Sequence, residues 1–245
     1  MSAAVLGTHR WTAEETRILV RAARWAPRRW LRGEWPLEIR DDGVDVVERP
    51  GGDSRGRLIA CGALLVHLEV AMRALGWIPE TEFSHDDANP RRIARITAAA
   101  RKRPGAGDLA SFGAMSGRAS YSCHGTPILS LDEEPADGVR VKSLSPCRIR
   151  ALPKVGGALA RTIAPPGDAP EDAWSAFLIT TASESRHHLV RAGQAAQRLR
   201  LLATESGVRC VTVTDPFDPA RVRGSLFGLA GIPQLAVGVH HARRR

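Results

Sequence analysis

The segment from Leu58 to Gly76 most constrains the fold of this 245-residue chain. Its apolar residues recur at intervals of three and four, the period of one face of an α-helix. Leu64, Val70 and Ala71 widen this stripe, and Gly76 supplies a helix stop. The stripe itself consists of Leu58, Cys61, Leu65, Leu68, Met72 and Leu75. The spacing therefore predicts a central helix that is largely buried.

A second helix is predicted from about Glu184 to Ser206, with Gly207 as its stop. Its apolar stripe is formed by Leu189, Ala192, Ala196, Leu199 and Ala203. Small residues at 192–196 would allow another helix to approach closely. Short apolar runs at 176–181, 208–213 and 232–239 predict strands around it, and 219–229 predicts a short helix. Alternating strands with two long buried helices indicate an α/β or α+β domain.

The first hundred residues carry clear local signals. Thr12 and Glu15 form a capping-box pattern that opens a helix ending near Trp25. Residues 37–48 predict a hairpin around Asp42-Gly43, and residues 77–83 predict a strand. Asn89-Pro90 is interpreted as the cap of a basic helix that ends near Arg103.

The middle of the chain, at about 104–172, is irregular and rich in Gly, Pro and Ser. One strand is predicted there, at Val139–Leu144. No repeat of solenoid period is found. We therefore expect a single domain that spans residues 1–245, a length that can bury a core without disulfides.

The net charge of +9 is weak evidence for nucleic-acid binding. Residues 1–125 carry 19 basic and 15 acidic side chains, and residues 126–245 carry 16 and 11. A nucleic-acid arm would concentrate this charge, so the even spread disfavours such a partner. No run of apolar residues is long enough for a membrane span, and the first ten residues lack a signal-peptide core. The expected location is cytoplasmic, without membrane association.

The cysteines and histidines lack metal-site spacing, so no metal is expected. Cys61, Cys123, Cys147 and Cys210 lie far apart and are interpreted as buried thiols. His67 is expected to pack on a helix face, and His187-His188 is expected to be solvated. The C-terminal Arg243-Arg244-Arg245 could close over a phosphate or form a solvated tail.

Several segments, taken in order, resemble the nitroreductase superfamily and in particular the Acg-type FMN-binding oxidoreductases of actinobacteria. Ala22–Pro27 comes first, with Trp35 at the family's tryptophan position. Arg57–Leu65 and Arg73–Trp77 are similar to its R-x-x-x-x-C-G-A helix. The later matches are Arg191–Arg198, with Ala203-Thr204 and Gly207, and Ile232–Gly238.

This resemblance implies an α+β fold in which an antiparallel sheet is flanked by helices. The two long buried helices are among them. It also implies an FMN-dependent oxidoreductase that carries out a two-electron, NAD(P)H-linked reduction of a small molecule. The flavin performs the redox step in such enzymes, and the protein supplies binding and orientation. Members are usually homodimers, and the Acg type resembles such a dimer fused into one chain.

The resemblance places the cofactor site on five residues. Trp35 would wall the flavin ring, Arg118 with Ser120 would meet the phosphate, and Arg243 and Arg244 would assist them. The family's polar ring contacts are replaced here by Arg28, Leu31 and Gly33. Leu31 and Gly33 have no side chain that hydrogen-bonds a flavin edge. The alternative is therefore a degenerate, catalytically silent member that binds or stores flavin or acts as a regulatory, partner-binding protein.

Overall fold

The computed structural model describes residues 9–26, 37–48, 54–84, 91–116, 138–152, 156–164, 174–214, 217 and 231–240. They belong to two compact units, Met1–Arg118 and Ala119–Arg245. Each unit is a mixture of helices and antiparallel strands, which confirms the predicted α+β class. The expectation of one nitroreductase-like domain over residues 1–245 stays a prediction.

The first unit is built around one long helix and a four-stranded sheet. Its elements are α1 (Ala13–Trp25), β1 (Leu37–Arg40), β2 (Gly43–Val47), α2 (Ser54–Ala74), β3 (Trp77–Phe83), β4 (Arg92–Arg101) and α3 (Ala106–Met115). The strands lie in the order β1-β2-β4-β3, and each pairs with its neighbour in antiparallel fashion. The helix α2 packs against α1, α3 and the sheet, and nearly all of it is buried.

The second unit repeats this plan with two short helices added. Its elements are β5 (Val139–Leu144), α4 (Pro146–Arg150), α5 (Gly156–Ile163), β6 (Trp174–Thr181), α6 (Arg186–Glu205), β7 (Arg209–Val213) and β8 (Ile232–His240). The strand order is β5-β6-β8-β7, again antiparallel throughout. Both units therefore contain a β-β-α-β-β arrangement in which the second and fourth strands form the centre of the sheet.

The long helices also align in sequence without a gap. Ser185, Gly193 and Gly207 lie 131 positions after Ser54, Gly62 and Gly76. Both terminal glycines adopt a positive φ, +82° at Gly76 and +71° at Gly207, a conformation that glycine accepts without steric penalty. The chain thus carries an internal duplication, whose long period lies outside the range of solenoid repeats.

The two sheets differ in what lies on the face opposite the long helix. In the first unit α2 covers one face, and the other carries the cross-strand row Glu38, Asp45, Arg95 and Glu82. In the second unit α6 lies on one face, and α4 with α5 packs on the other through an apolar cluster that includes Trp174 and Leu178. The second sheet is therefore apolar on both faces, because helices cover both.

Ion pairs stabilise the charged face of the first sheet around one buried carboxylate. Asp45 is 2% exposed; Arg40 Nε donates to its Oδ2 at 2.7 Å, and Arg95 Nη1 lies 3.7 Å from its Oδ1. The hydrogen bond to Asp45 and the charge of Asp45, assisted by Glu38, raise the pKa of Arg40. Arg95 also pairs with Asp42.

Most predicted elements are confirmed, including the α1 capping box, β3, β5 and the two long helices. The hairpin is confirmed, but its two-residue turn is Asp41-Asp42, because Gly43 already pairs with Arg40. A Cβ on Gly43 would lie 2.9 Å from the Ile96 carbonyl oxygen, so this glycine serves close strand packing. The predicted helix at 219–229 lies outside the described residues.

Two expectations for the chain before residue 172 are wrong. The expected basic helix after Pro90 is the strand β4, which pairs with β2 on one side and β3 on the other. Its alanines and its Ile93–Ile96 spacing favour a helix locally, but these partners require a central strand. The irregular middle segment contains three helices that the sequence did not predict, α3, α4 and α5.

The cysteine prediction holds only in part. Cys61 is buried and Cys210 is half-buried, whereas Cys147 is exposed on the short helix α4. Burial raises the pKa of the Cys210 thiol, and the neighbouring Arg200 opposes this rise. Cys123 lies outside the described residues.

Glu15 fixes the start of α1 to the β3–β4 hairpin. Its carboxylate accepts from the Thr12 backbone N–H at 2.9 Å and from the Trp77 indole N–H at 2.8 Å. His9 Nε2 lies 3.0 Å from the same carboxylate. The Arg101 guanidinium stacks 3.6 Å from the centroid of the Trp77 ring. Burial alone would raise the pKa of Glu15, but these hydrogen bonds and the charge of His9 lower it from 4.5 to about 2.

We expect the depressed pKa of Glu15 to make the first unit sensitive to acid. A carboxylate whose pKa is lower in the folded state stabilises the fold above pH 4.5, and this contribution is lost as the pH falls towards 2. The free energy of unfolding should drop by about 2–3 kcal/mol over that interval. Denaturant unfolding at several pH values, followed by tryptophan fluorescence, measures this drop.

Glu15→Gln should remove that component of the acid sensitivity. Glu14→Gln is the matched control, because Glu14 is an exposed carboxylate one residue earlier in the same helix turn. If Glu15→Gln and wild-type protein lose stability equally between pH 5 and 2, Glu15 does not anchor α1 as described.

Gly238 in β8 allows α5 to approach the second sheet, and its replacement should destabilise the second unit. A Cβ on Gly238 would lie 2.3 Å from Cγ2 of Ile163, so Gly238→Ala should lower the free energy of unfolding by about 1–3 kcal/mol. Gly157→Ala in the same unit is the control, because its Cβ would meet only Arg161 Nη1 at 3.6 Å. It should be neutral or up to about 1 kcal/mol stabilising. Equal effects of the two substitutions in chemical denaturation would contradict this packing role.

Candidate functional site

The five residues predicted to hold a cofactor lie outside the described residues. They are Trp35, Arg118, Ser120, Arg243 and Arg244. The substituted positions Arg28, Leu31 and Gly33 lie outside them as well. Within the described residues, a different set of polar side chains lies close together at the start of α6.

This set, the β6–α6 cluster, consists of Thr181, Ser183, Ser185, His188 and Gln234. The hydroxyl oxygens of Ser183 and Ser185 lie 2.7 and 2.8 Å from Nδ1 of His188. Ser185 is also the N-cap of α6 and accepts the backbone N–H of His188 at 3.3 Å. Two hydroxyls thus converge on one imidazole nitrogen at the amino end of a long helix.

The end of β6 positions the cluster. The Thr181 hydroxyl donates to the Ser183 carbonyl at 2.7 Å and accepts from the Gln234 amide at 2.9 Å. The backbone N–H of Ser185 donates to the Ser183 hydroxyl at 3.2 Å. These local bonds turn the chain from strand into helix. Because Gln234 is fully buried, Thr181 supplies an acceptor that its amide requires.

Gly138 sets the position of the His188 ring. Its φ is +74°, and a Cβ there would lie 2.4 Å from Nε2 of His188. The imidazole is therefore packed between Gly138 on one side and the two serine hydroxyls on the other. His187 and His188 are both half-buried, so the expectation that this pair is solvated is wrong.

The histidine expected on a helix face is confirmed. His67 on α2 is 2% exposed, and its Nδ1 lies 3.1 Å from the carbonyl oxygen of Ala22. It joins α2 to the end of α1, which is a structural role.

The polar side chains of α6 are also directed into its buried face. Gln194 is 1% exposed and Gln197 is 4% exposed. Arg191 donates to the Gln194 side-chain oxygen and Arg200 to that of Gln197, each at 3.2 Å. The buried small residues Ala192, Gly193 and Ala196 lie on a helix that packs against all four strands of its sheet. They therefore allow close approach to a sheet, where the sequence suggested another helix.

The β6–α6 cluster is suited to hydrogen bonding rather than to nucleophilic catalysis. The hydrogen-bonding partners of His188 are hydroxyls, and no carboxylate in the described part of the chain orients the imidazole as a general base. The first turn of α6 contains no acidic residue. The two hydroxyls hold the imidazole in place, but the described residues do not supply the third group of a catalytic triad.

The described residues contain neither a candidate metal site nor a helix that could span a membrane. No group of three or more His, Cys, Asp or Glu side chains in these ranges could hold a metal ion. No helix in the described ranges is long and apolar enough to cross a membrane.

The fold is α+β with antiparallel sheets flanked by helices, as in nitroreductases. No protein-family model matches the chain. Two curated relatives do, each named "Putative NAD(P)H nitroreductase", from Mycobacterium tuberculosis strains CDC 1551 / Oshkosh and ATCC 25618 / H37Rv. Each is 26% identical over 272 aligned positions, which cover 87% of this chain and 79% of the relative. The comparison supports a nitroreductase-type oxidoreductase in general terms.

The segments that resemble nitroreductases are mostly packing segments in this structure. Cys61, Gly62 and Ala63 of the R-x-x-x-x-C-G-A match are buried in α2. In the Ile232–Gly238 match, Gln234 is buried and Gly238 accommodates Ile163. The resemblance therefore rests on positions that determine the fold, and it carries less information about the reaction.

The two serines should stabilise the start of α6 in a non-additive way. Ser185→Ala removes an N-cap and should lower the free energy of unfolding by about 1 kcal/mol. Ser183→Ala should have a smaller effect, because the Ser185 hydroxyl still reaches His188 Nδ1. The double variant leaves this half-buried nitrogen without either hydroxyl, so its loss should exceed the sum of the single losses. Additive losses in a double-mutant cycle of chemical denaturation would show that the hydroxyls do not share His188.

Proposed function

We propose that this protein is an FMN-dependent oxidoreductase of nitroreductase type that uses NAD(P)H for a two-electron reduction of a small molecule. The observation that carries this proposal is the similarity to two proteins named as NAD(P)H nitroreductases over 87% of the chain. The α+β units and the buried long helices support it. The substrate is unassigned, and a cytoplasmic location is part of the proposal.

The polar atoms of the β6–α6 cluster are already hydrogen-bonded within the protein. The amide of the buried Gln234, the hydroxyl of Thr181 and Nδ1 of His188 already have partners within the second unit. This cluster therefore requires no flavin to satisfy it. We accordingly assign the flavin contacts to the five residues of the resemblance, with Trp35 beside the ring and Arg118, Ser120, Arg243 and Arg244 around the phosphate.

The chemistry divides between cofactor and protein as in other flavoenzymes. The bound flavin would supply the redox reaction. Arginine side chains would bind its phosphate through charge-assisted hydrogen bonds. The tryptophan would exclude water from one side of the ring. The structure assigns no proton-donating residue to the substrate.

The alternative is a catalytically silent member that binds or stores flavin or recognises a partner. The observation that favours it is the replacement of the family's polar ring contacts by Arg28, Leu31 and Gly33. Neither Leu31 nor Gly33 can donate or accept a side-chain hydrogen bond. Such a protein would keep the fold-forming helices and lose the reduction.

A homodimer is also part of the proposal, since nitroreductases usually form one. The internal duplication already gives one chain two copies of the β-β-α-β-β unit, so the homodimer would contain four. The mass in solution distinguishes a dimer from a 26.5 kDa monomer.

The purified protein should be yellow or become so on reconstitution with FMN, and it should oxidise NAD(P)H with a nitroaromatic or quinone acceptor. Arg118→Gln should weaken FMN binding at least tenfold, because a phosphate contact is lost. Arg148→Gln is the matched control, since Arg148 is exposed on α4. Absorbance of the flavin band and a fluorescence titration measure these effects.

The result separates the two candidate functions. Stoichiometric FMN with turnover supports the oxidoreductase. Stoichiometric FMN without turnover, across both nicotinamide donors, supports the silent flavin-binding member. A colourless protein that takes up no FMN would exclude the oxidoreductase.

A further inference from the structure

Arg57, in the first turn of α2, is a largely buried cation with unused hydrogen-bond donors. Its side chain is 14% exposed. Its Nε and Nη1 are fully shielded from solvent and have no hydrogen-bond partner in the part of the chain that the structure describes. Among the described residues, Nη2 alone has an acceptor, Oε1 of Glu48 at 3.5 Å. The guanidinium is thus satisfied at one nitrogen of three, and weakly.

Such an arrangement is unfavourable without a further acceptor. A buried donor that loses its hydrogen bond to water costs roughly 1–3 kcal/mol, and a charged donor costs more. A contact at 3.5 Å is at the outer limit of hydrogen-bond geometry. Guanidinium groups cannot escape by deprotonation in proteins. A strong acceptor beside Nε and Nη1 would remove this penalty.

The place of Arg57 in the helix points to an anion as that acceptor. The amino end of a helix carries a partial positive charge and free backbone N–H groups, which favour negative ligands and disfavour cations. The first turn of α2 has no acidic residue. It does have a second arginine, Arg55, which is 8% exposed. An anion would offset the repulsion between the Arg57 guanidinium and the helix dipole.

The duplicated helix repeats the pattern and shows what is particular to Arg57. Ser185, Arg186 and His188 lie 131 positions after Ser54, Arg55 and Arg57. The first turn of α6 is likewise free of acidic residues. At the position of Arg57, however, α6 has His188, whose Nδ1 is paired with two serine hydroxyls. In α6 this position is thus paired within the chain, whereas two nitrogens of Arg57 have no acceptor among the described residues.

We propose that the amino end of α2 binds a phosphate group, with Nε and Nη1 of Arg57 as its principal donors. The planar guanidinium offers N–H groups on more than one edge, which suits an oxyanion with several acceptor oxygens. The third nitrogen, Nη2, contacts Glu48 at 3.5 Å, which leaves Nε and Nη1 for the phosphate. The phosphate could be inorganic or the ester of a nucleotide such as FMN. This proposal uses none of the five residues assigned above, and it does not depend on redox activity.

Isothermal titration calorimetry of the full chain with inorganic phosphate, at constant ionic strength, tests the site. Wild-type protein should bind one phosphate, and Arg57→Met should weaken this binding at least tenfold, because the donors are removed and the apolar stem is kept. Arg103→Met is the matched control, since Arg103 is exposed and belongs to the same unit. It should bind phosphate as wild type does.

Thermal unfolding gives a second readout that a purely structural arginine would not produce. Phosphate in excess should raise the melting temperature of wild type by about 2–4 °C and leave that of Arg57→Met unchanged. Without phosphate, Arg57→Met should melt at the same temperature as wild type or higher, because an unpaired buried charge is removed. If Arg57→Met melts lower by the same amount with and without phosphate, the arginine only supports the fold and the proposal fails.

Two further outcomes are decisive. In the first, wild-type protein binds several phosphates weakly, and Arg57→Met and Arg103→Met reduce this binding equally. The phosphate is then an adventitious ion only, attracted by the net charge of +9, and the proposal is overturned. With a single site established, FMN and riboflavin identify the source of the phosphate. Competition by FMN and not by riboflavin supports a phosphate ester, whereas no competition by either supports free phosphate. A protein that binds phosphate at Arg57 but no flavin keeps this site and loses the proposed oxidoreductase.

Discussion

The burial of one long helix against each sheet is the constraint on which the rest of the structure depends. In the first unit α2 is enclosed by α1, α3 and the sheet, so almost every side chain on it requires a partner in the protein. Its apolar residues find the sheet, His67 finds the Ala22 carbonyl, and Glu69 accepts from Thr81 at 3.0 Å. Since unpaired polar groups are costly inside a protein, the incompletely paired Arg57 stands out on this helix.

The duplication shows how one arrangement of strands and helix accepts two different environments. Between β1 and β2 the chain makes a two-residue turn, and the outer face of that sheet carries ion-paired charged residues. Between β5 and β6 it inserts α4 and α5, and the corresponding face becomes apolar. The residues on the two faces differ accordingly. The first sheet has the ion-paired Asp45 and Arg95 there, and the second has Trp174 and Leu178, which belong to the apolar cluster of α4 and α5. The relation between the units is therefore retained in topology and in the helix termini rather than in composition.

Prediction from the sequence worked where local signals and burial agreed. The apolar stripe and Gly76 identified α2, and Thr12 with Glu15 identified the start of α1. It failed for β4, whose alanines favour a helix but whose position between β2 and β3 requires a strand. Its partner β2 lies about fifty residues earlier in the sequence. The β6–α6 cluster was also missed, although Ser183-Glu-Ser185 before a helix is a recognisable capping signal. The cluster also involves Gly138 and Gln234, which lie about fifty residues before and after Ser185 in the sequence.

The sequence alone determined the two long helices, their stops, most strands and the resemblance to nitroreductases, because each depends on neighbours within a few turns or on residues that pack a core. The tertiary structure decided the identity of β4, the division into two similar units and the surroundings of individual polar groups. Strand pairing and side-chain pairing join residues that are distant along the chain, and no local pattern reports them. Arg57 is the clearest case. In the sequence it belongs to a segment that resembles a nitroreductase motif, and only the structure shows that two of its buried nitrogens have no acceptor among the described residues.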